Sequence, residues 1–280
     1  MAQSTLDSGA VEADHGRGDG GMKVITWNVN SIRMRLGRVR ALLLRHRPDV
    51  LALQEVKVPA ALFPAAEIED LGYRAAVFGQ AGRNGVALLS PHPLETVERG
   101  FPGDPVPEQA RVIAATVEGV RVVDVYVVNG QAVGTPEYEI KLRWLEAFAE
   151  WLRAEHRPEE PLLLVGDFNV TPDDRDVHDP ERWRGRNLCS GPERERLRAL
   201  LDWGLIDLLR LRQAGPGPFT WWDYREGAFH RGWGLRLDLA LGTRPVAERC
   251  LEVTVDRDER RPTSGEGKPS DHAPVIVVLR

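Results

Sequence analysis

Several apolar runs of strand length in this chain stop at an acid, an amide or a histidine, and this recurrence constrains the fold more than any other feature. Residues 23–27 run into Trp27-Asn28-Val29-Asn30, residues 49–53 into Gln54-Glu55, and residues 161–165 into Gly166-Asp167-Phe168-Asn169. Asp238 interrupts the segment 235–239, and Ser270-Asp271-His272-Ala273-Pro274 leads into the last run, 274–279. Strands of one sheet can bring such ends together at one rim. Taken singly, each residue has an ordinary reading: Glu55 as a solvated loop residue, Asp167 as a helix cap or turn former, Asn28 and Asn30 as turn residues, Asp271-His272 as a surface pair.

The rest of the chain supplies more strands than helices. Strand-like runs cover 73–78, 85–90, 111–117, 121–127 and 237–241, with turn signals such as Glu118-Gly119 between them. Helical spacing appears from Ile32 to Leu43 behind a Ser31 N-cap, over 137–156, and over 193–203. Pro48 ends the first helix. Many strands with few intervening helices predict two packed sheets with helices outside. Trp144 and Trp151 are expected to pack between helix and sheet. No linker or tandem repeat appears between 23 and 280, so one α/β catalytic domain over 22–280 is expected.

Composition removes several functions. No apolar run approaches the roughly 20 residues of a membrane span. Two cysteines, Cys189 and Cys250, make no disulfide scaffold or structural zinc site, so packed thiols in a reducing cytoplasm are expected. Residues 1–21 lack an apolar core and read as a disordered arm. That arm holds four acids and one base, so removing its −3 from the whole-chain −5 leaves about −2 on the rest. Such a near-neutral total predicts no strong overall field for nucleic acid, though a local basic patch is compatible with it.

A rim of Glu and Asp oxygens suits Mg²⁺, with Mn²⁺ as the alternative, because these hard cations take oxygen ligands and keep waters for a substrate phosphate. A histidine beside them suits phosphate-ester chemistry.

The order and local context of these residues carry a resemblance. The segments are Thr26-Trp27-Asn28-Val29-Asn30-Ser31-Ile32-Arg33, Leu53-Gln54-Glu55-Val56-Lys57, Gly85-Val86-Ala87-Leu88-Leu89 and Val125-Tyr126-Val127-Val128-Asn129-Gly130. They continue with Gly166-Asp167-Phe168-Asn169-Val170-Thr171-Pro172, Phe219-Thr220-Trp221-Trp222-Asp223-Tyr224, Gly234-Leu235-Arg236-Leu237-Asp238 and Ser270-Asp271-His272-Ala273-Pro274-Val275. Over about 23–280 the chain resembles the exonuclease III-type abasic-site endonucleases of the endonuclease/exonuclease/phosphatase superfamily.

That resemblance implies a four-layer αββα sandwich of two mixed β-sheets flanked by helices. It implies an enzyme that cuts the phosphodiester 5′ to abasic sites in duplex DNA and acts at 3′ ends, as a cytoplasmic monomer with no membrane partner. Glu55 would bind the metal, with Asn28 and Asp271 in its neighbourhood. Asp167 would activate or orient the attacking water beside Asn169, and Asp238 would pair with His272. The resemblance leaves the general base open among Asp167, His272 and Tyr126. Asn30, Tyr126 and Asn129 match phosphate-contacting positions, and Trp221, Leu235 and Leu237 match an abasic pocket. Arg33, Arg35, Arg83, Arg225, Arg231 and Lys268 lie in or beside these motifs as candidate phosphate contacts. Val128 stands where the family has proline, and Gly232-Trp233-Gly234 is an unusual lead-in to Leu235. Competing readings are a nonspecific DNase I-like phosphodiesterase, a lipid or inositol phosphatase, and a non-catalytic nucleic-acid-binding regulator on the same fold.

Overall fold

The computed structural model describes residues 21–262 and 266–280. The arm expected at 1–21 therefore lies, apart from Gly21, outside the described residues.

Among the described residues twelve strands follow one another: β1 (Met22–Asn28), β2 (Val50–Gln54), β3 (Arg74–Phe78), β4 (Val86–Ser90), β5 (Glu95–Arg99) and β6 (Val112–Val117). The others are β7 (Val120–Tyr126), β8 (Leu162–Asp167), β9 (Ile206–Asp207), β10 (Asp238–Gly242), β11 (Cys250–Val255) and β12 (Val275–Leu279). They form two six-stranded sheets, ordered β11-β12-β1-β2-β4-β3 and β5-β6-β7-β8-β10-β9. Each sheet has one parallel pair at its centre, β1 with β2 and β7 with β8, and antiparallel neighbours on both sides.

Strand alternation sorts the side chains into layers. Val24, Val50, Ala52 and Leu88 of the first sheet meet Val122, Leu163, Val165 and Ala240 of the second in one core between the sheets. The intervening residues face outward. Ile25, Trp27, Leu51 and Leu53 pack with Val39 and Leu42 of the helix Ile32–His46, and Ile68 of the helix Ala65–Glu69 joins them. Leu162 and Leu164 pack with Trp144, Phe148 and Trp151 of the helix Pro136–Glu155 and Leu197 of the helix Gly191–Trp203. The result is the expected αββα sandwich. Central strands covered on both faces are continuous apolar runs, which is why they were legible.

Three strands escaped sequence reading, and all lie at sheet edges; β9 is only two residues long. β5 carries Glu95, Glu98 and Arg99 and is mostly exposed, so it has no apolar period. β11 pairs only with β12. The Ser31 cap is corrected: its side chain makes no cap hydrogen bond. The helix start is instead tied across the sheet, with the Ser31 and Ile32 amides donating to the Glu55 and Val56 carbonyls.

Candidate active site

The alternation that builds the inner core also builds the site. On β1, Asn28 shares the strand face of Val24; on β8, Asp167 shares that of Val165; on β10, Asp238 shares that of Ala240. All three point between the sheets at one end of the sandwich, where the apolar filling stops. The chain then hooks away. Asn30, Glu55, Lys57 and Asn169 all have positive φ, a conformation that costs L-residues about 1 kcal/mol or more and that recurs at functional sites. Gly166 lets β8 reach the rim: its φ is +137°, and a Cβ there would lie 2.0 Å from the Val125 carbonyl oxygen.

A continuous polar chain runs across the seam. The Asn28 amide Nδ2 donates to Glu55 Oε1 and to Asp167 Oδ2, each at 2.9 Å. His272 places Nε2 3.7 Å from the same Asp167 oxygen and Nδ1 2.8 Å from Asp238 Oδ2. The Asn169 amide N–H donates to Asp167 Oδ1 at 2.9 Å. Burial raises the Asp167 carboxyl above the ordinary carboxylate range; the His272 charge opposes this and Asp238 adds to it. For His272, burial alone would lower the imidazole, but the Asp238 and Asp167 carboxylates outweigh it and hold the ring charged well above its ordinary value.

The remaining predicted residues divide. Tyr126 borders the seam beneath the Arg111 guanidinium, 4.8 Å from its ring centre. Burial, then the Glu55 and Asp167 charges, push its phenol well up, so it stays a donor. The Asn129 amide donates to Asn169 Oδ1 at 3.0 Å. Asn30 donates to Asp271 Oδ1 at 3.0 Å, and Trp221 Nε1 donates to Asp271 Oδ2 at 3.1 Å. Burial would raise Asp271, yet the His272 charge and those two bonds hold its carboxyl low. Arg33 is exposed on the first helical turn. Leu235 and Leu237 are 0% and 1% exposed and pack on Val177, Leu188 and Cys189, with Trp221 half-buried against them. Arg35 is corrected from a candidate surface contact: it is buried and donates to the Asn30 and Pro269 carbonyls and the Tyr224 hydroxyl.

Sequence reasoning missed three supports that sat inside its own motifs. Lys57 Nζ bridges Glu55 Oε2 at 2.7 Å and Asn30 Oδ1 at 2.6 Å. Ser270 Oγ donates to the Asn28 carbonyl and accepts from the His272 amide. Thr220 Oγ1 accepts from the Leu237 and Asp238 amides. Arg111 had no motif to signal it.

Residues 25–272 match the model of the Endonuclease/Exonuclease/phosphatase family, an interval that begins on β1 and ends on His272 itself. The chain belongs to that family. Curated exodeoxyribonucleases match the chain over most of its length. Exodeoxyribonuclease III of Haemophilus influenzae is 35% identical over 271 residues, covering 92% of this chain and all of that one. Among solved structures, the 3′ phosphatase NExo from Neisseria, bound to a product DNA hairpin, is 42% identical with a TM-score of 0.88, covering 92% and 99% of the two chains. An AP endonuclease from Archaeoglobus fulgidus is 36% identical with a TM-score of 0.87, over 92% and 99%. The chain is a hydrolytic nuclease of this exonuclease III kind.

Two places on this family scaffold offer ligands to a metal. Asp167, Asp238 and His272 present atoms within 4.8 Å of one another. Within that group His272 Nδ1 already pairs with Asp238 Oδ2 at 2.8 Å. Glu55 is the other candidate donor. It is a partly exposed carboxylate whose oxygens face the Asn28 amide and the Lys57 ammonium, and a hard cation fits where an ammonium sits. Asn28 turns its Nδ2 to both carboxylates, and Asp271 lies beyond Asn30. Among the described residues, no helix is long and apolar enough to cross a membrane.

Proposed function

We propose that this protein is a Mg²⁺-dependent DNA repair nuclease, with Mn²⁺ as a substitute metal. It hydrolyses the phosphodiester 5′ to abasic sites in duplex DNA and processes 3′ ends. The observation that carries this reading is the unbroken polar chain Glu55–Asn28–Asp167–His272–Asp238 at the seam. Glu55 would hold the Mg²⁺, which when bound would supply positive charge toward the phosphate oxygens on which negative charge builds. Asp167, its oxygens fixed by Asn28 and Asn169, orients the attacking water and takes its proton. His272, kept charged by Asp238, faces the phosphate as a cationic donor. Asn30, Tyr126 and Asn129 hold the phosphate, and the protonated Tyr126 phenol gives a proton to the leaving 3′ oxygen. The enzyme acts as a cytoplasmic monomer from one catalytic domain over 22–280.

The test is a duplex oligonucleotide with one abasic analogue, incubated with Mg²⁺ or with EDTA, its product ends mapped on a gel. Incision 5′ to the site leaving a 3′-hydroxyl, and none in EDTA, is expected. Full activity in EDTA, or a β-elimination product, refutes the reading.

One observation favours a second emphasis, in which 3′-end processing is the main activity. Leu235 and Leu237 are packed into a small core and leave Trp221 as the accessible wall. A terminal 3′ phosphate reaches the seam without an extruded sugar, and the similar NExo is a 3′ phosphatase. A 3′-phosphorylated duplex assayed beside the abasic one gives the ratio. Trp221→Ala separates the emphases: it changes abasic selectivity more than 3′ processing if Trp221 forms the pocket wall.

A further inference from the structure

Asn129 and Asn169 lie on loops at the seam, and both are held from behind by one buried cation. Lys141, in the helix Pro136–Glu155, has a side chain with no exposure. Its ammonium donates to the Asn169 carbonyl at 2.6 Å, the Asn129 carbonyl at 3.0 Å and Asn187 Oδ1 at 3.3 Å, and it pairs with Glu193 Oε1. Glu193 is equally enclosed. Its oxygens accept the Leu188 and Ser190 amides, each at 3.0 Å, and the Ser190 hydroxyl at 2.6 Å. Asn187 Nδ2 adds a second donor to the Asn129 carbonyl at 2.9 Å. The loop lies so close to the Lys141 stem that a Cβ on Gly130 would sit 2.8 Å from Lys141 Cδ, at a φ of +84°.

Stability alone does not explain a buried ion pair here, because well-packed apolar residues of similar volume are often neutral or stabilising in its place. What apolar residues cannot do is donate to two backbone carbonyls at once. Those carbonyls belong to the residues that lead to the Asp167 carboxylate: the Asn129 side-chain amide donates to Asn169 Oδ1, and the Asn169 backbone N–H donates to Asp167 Oδ1. We propose that Lys141, charge-balanced by Glu193, is a positioning residue for the nuclease reaction, pinning the Asn129 and Asn169 backbones so that their amides hold Asp167 and the phosphate in register. This rests on the roles proposed above for Asn129 and Asn169.

The decisive variant is Lys141→Met with Glu193→Gln. Removing both charges avoids the uncompensated charge that either single change leaves behind. The double variant is expected to melt close to the wild-type temperature while kcat falls about ten- to a hundredfold, the scale of a small misplacement at a reacting centre. KM for DNA should move less than kcat. A wild-type kcat in the folded double variant overturns the proposal, as the pair is then structural only. If the double variant does not fold, Asn187→Ala carries the test: it removes the second tie to Asn129 and leaves the ion pair. A several-fold drop in kcat supports positioning, and an unchanged kcat overturns it. Asn169→Ala separates the two levels of the argument. That variant keeps the backbone N–H to Asp167 and loses the side-chain bonds to Asn129 and to Asp167 Oδ2, so an unchanged kcat in it removes the proposed role of the Asn169 side chain. A reduced kcat there, with the Lys141 variants normal, removes only the inference about Lys141.

Discussion

Arg236 and Asp238 stand two residues apart, yet they belong to buried clusters of opposite character. Arg236 bonds Asp176 through Nε at 2.5 Å and Nη2 at 3.2 Å, and Asp207 through Nη1 at 3.1 Å and Nη2 at 2.6 Å. Arg210 adds a second guanidinium to Asp176. Two carboxylates thus meet two permanent cations, and all four carboxylate oxygens accept hydrogen bonds, although the buried Arg210 Nε lacks a partner. Asp238 and Asp167 share a single imidazole, and Asp238 Oδ1, also buried, has no hydrogen-bond partner. The first cluster locks the loops around β9 and β10 together. The second keeps negative charge and a movable proton in reserve, which suits chemistry and costs stability. Incomplete charge compensation distinguishes the proposed catalytic cluster from the structural one, although both are buried and acidic.

The largest effect expected from this contrast is on turnover. His272→Ala, Asp238→Ala and Asp167→Asn should each lower kcat by about 10²–10⁴-fold, the contribution of a positioned acid–base group. Because these residues act as a unit, double variants should fall far short of additivity. Melting temperatures and abasic-DNA affinity should change much less. Near-wild-type turnover in any one variant removes that residue from the catalytic set.

Arg236→Met should show the reverse profile. It leaves Asp176 and Asp207 buried without their shared cation, and breaking such a pair costs about 3–5 kcal/mol. Denaturant titration measures the loss directly. If Arg236→Met is no less stable than His272→Ala, the distinction between the clusters collapses.

The proton held in reserve can be followed by imidazole NMR. In the metal-free protein His272 should stay charged at neutral pH and lose its proton only on the alkaline side. Its stability contribution is therefore complete below the ordinary histidine pKa and fades as pH rises through the raised folded value. Asp238→Asn removes the largest raising influence, so the titration should move to lower pH; an unmoved titration would show that Asp238 does not set it.

The smallest effect concerns Asp124, a lone buried carboxyl between the sheets. Gln54 Nε2 donates to its Oδ1 at 2.6 Å, while its Oδ2 and Gln54 Oε1 lack partners. Burial raises this carboxyl well above its ordinary value, and a proton on it supplies the missing donor. Its contribution is whole below the unfolded pKa and is lost as pH rises toward the folded one. Asp124→Asn replaces that proton with an amide and should raise Tm by about 2–4 °C at pH 7, the scale of 1 kcal/mol in a chain near this size. The gain should shrink toward pH 4; a gain independent of pH would mean that Asp124 is ionised in the folded protein.

The site was legible in part for a definable reason. Glu55, Asp167, Asp238 and His272 stood out because each interrupts or borders an apolar strand, and an acid or histidine there contradicts its surroundings. Lys141 did not stand out, because a cationic residue on a helix reads as solvated, and for the same reason Arg35 reads as a phosphate contact and not as a buried support. Leu235 and Leu237 suggested a pocket by motif, and their packing against Val177 and Leu188 comes from segments far along the chain. The edge strand β5 was invisible because an exposed strand has no apolar period.

The sequence by itself determined the central strands, the helices that cover them, and the face on which each strand-end residue projects. Backbone geometry repeats every two or 3.6 residues, so these features are local. Tertiary structure alone decided which polar ends meet. Asn28 bonds Asp167 across 139 positions, His272 bonds Asp238 across 34, and Lys141 pairs with Glu193 across 52. Whether a buried charge is balanced or held in reserve depends on those distant neighbours and on the water they exclude, and no local period encodes either.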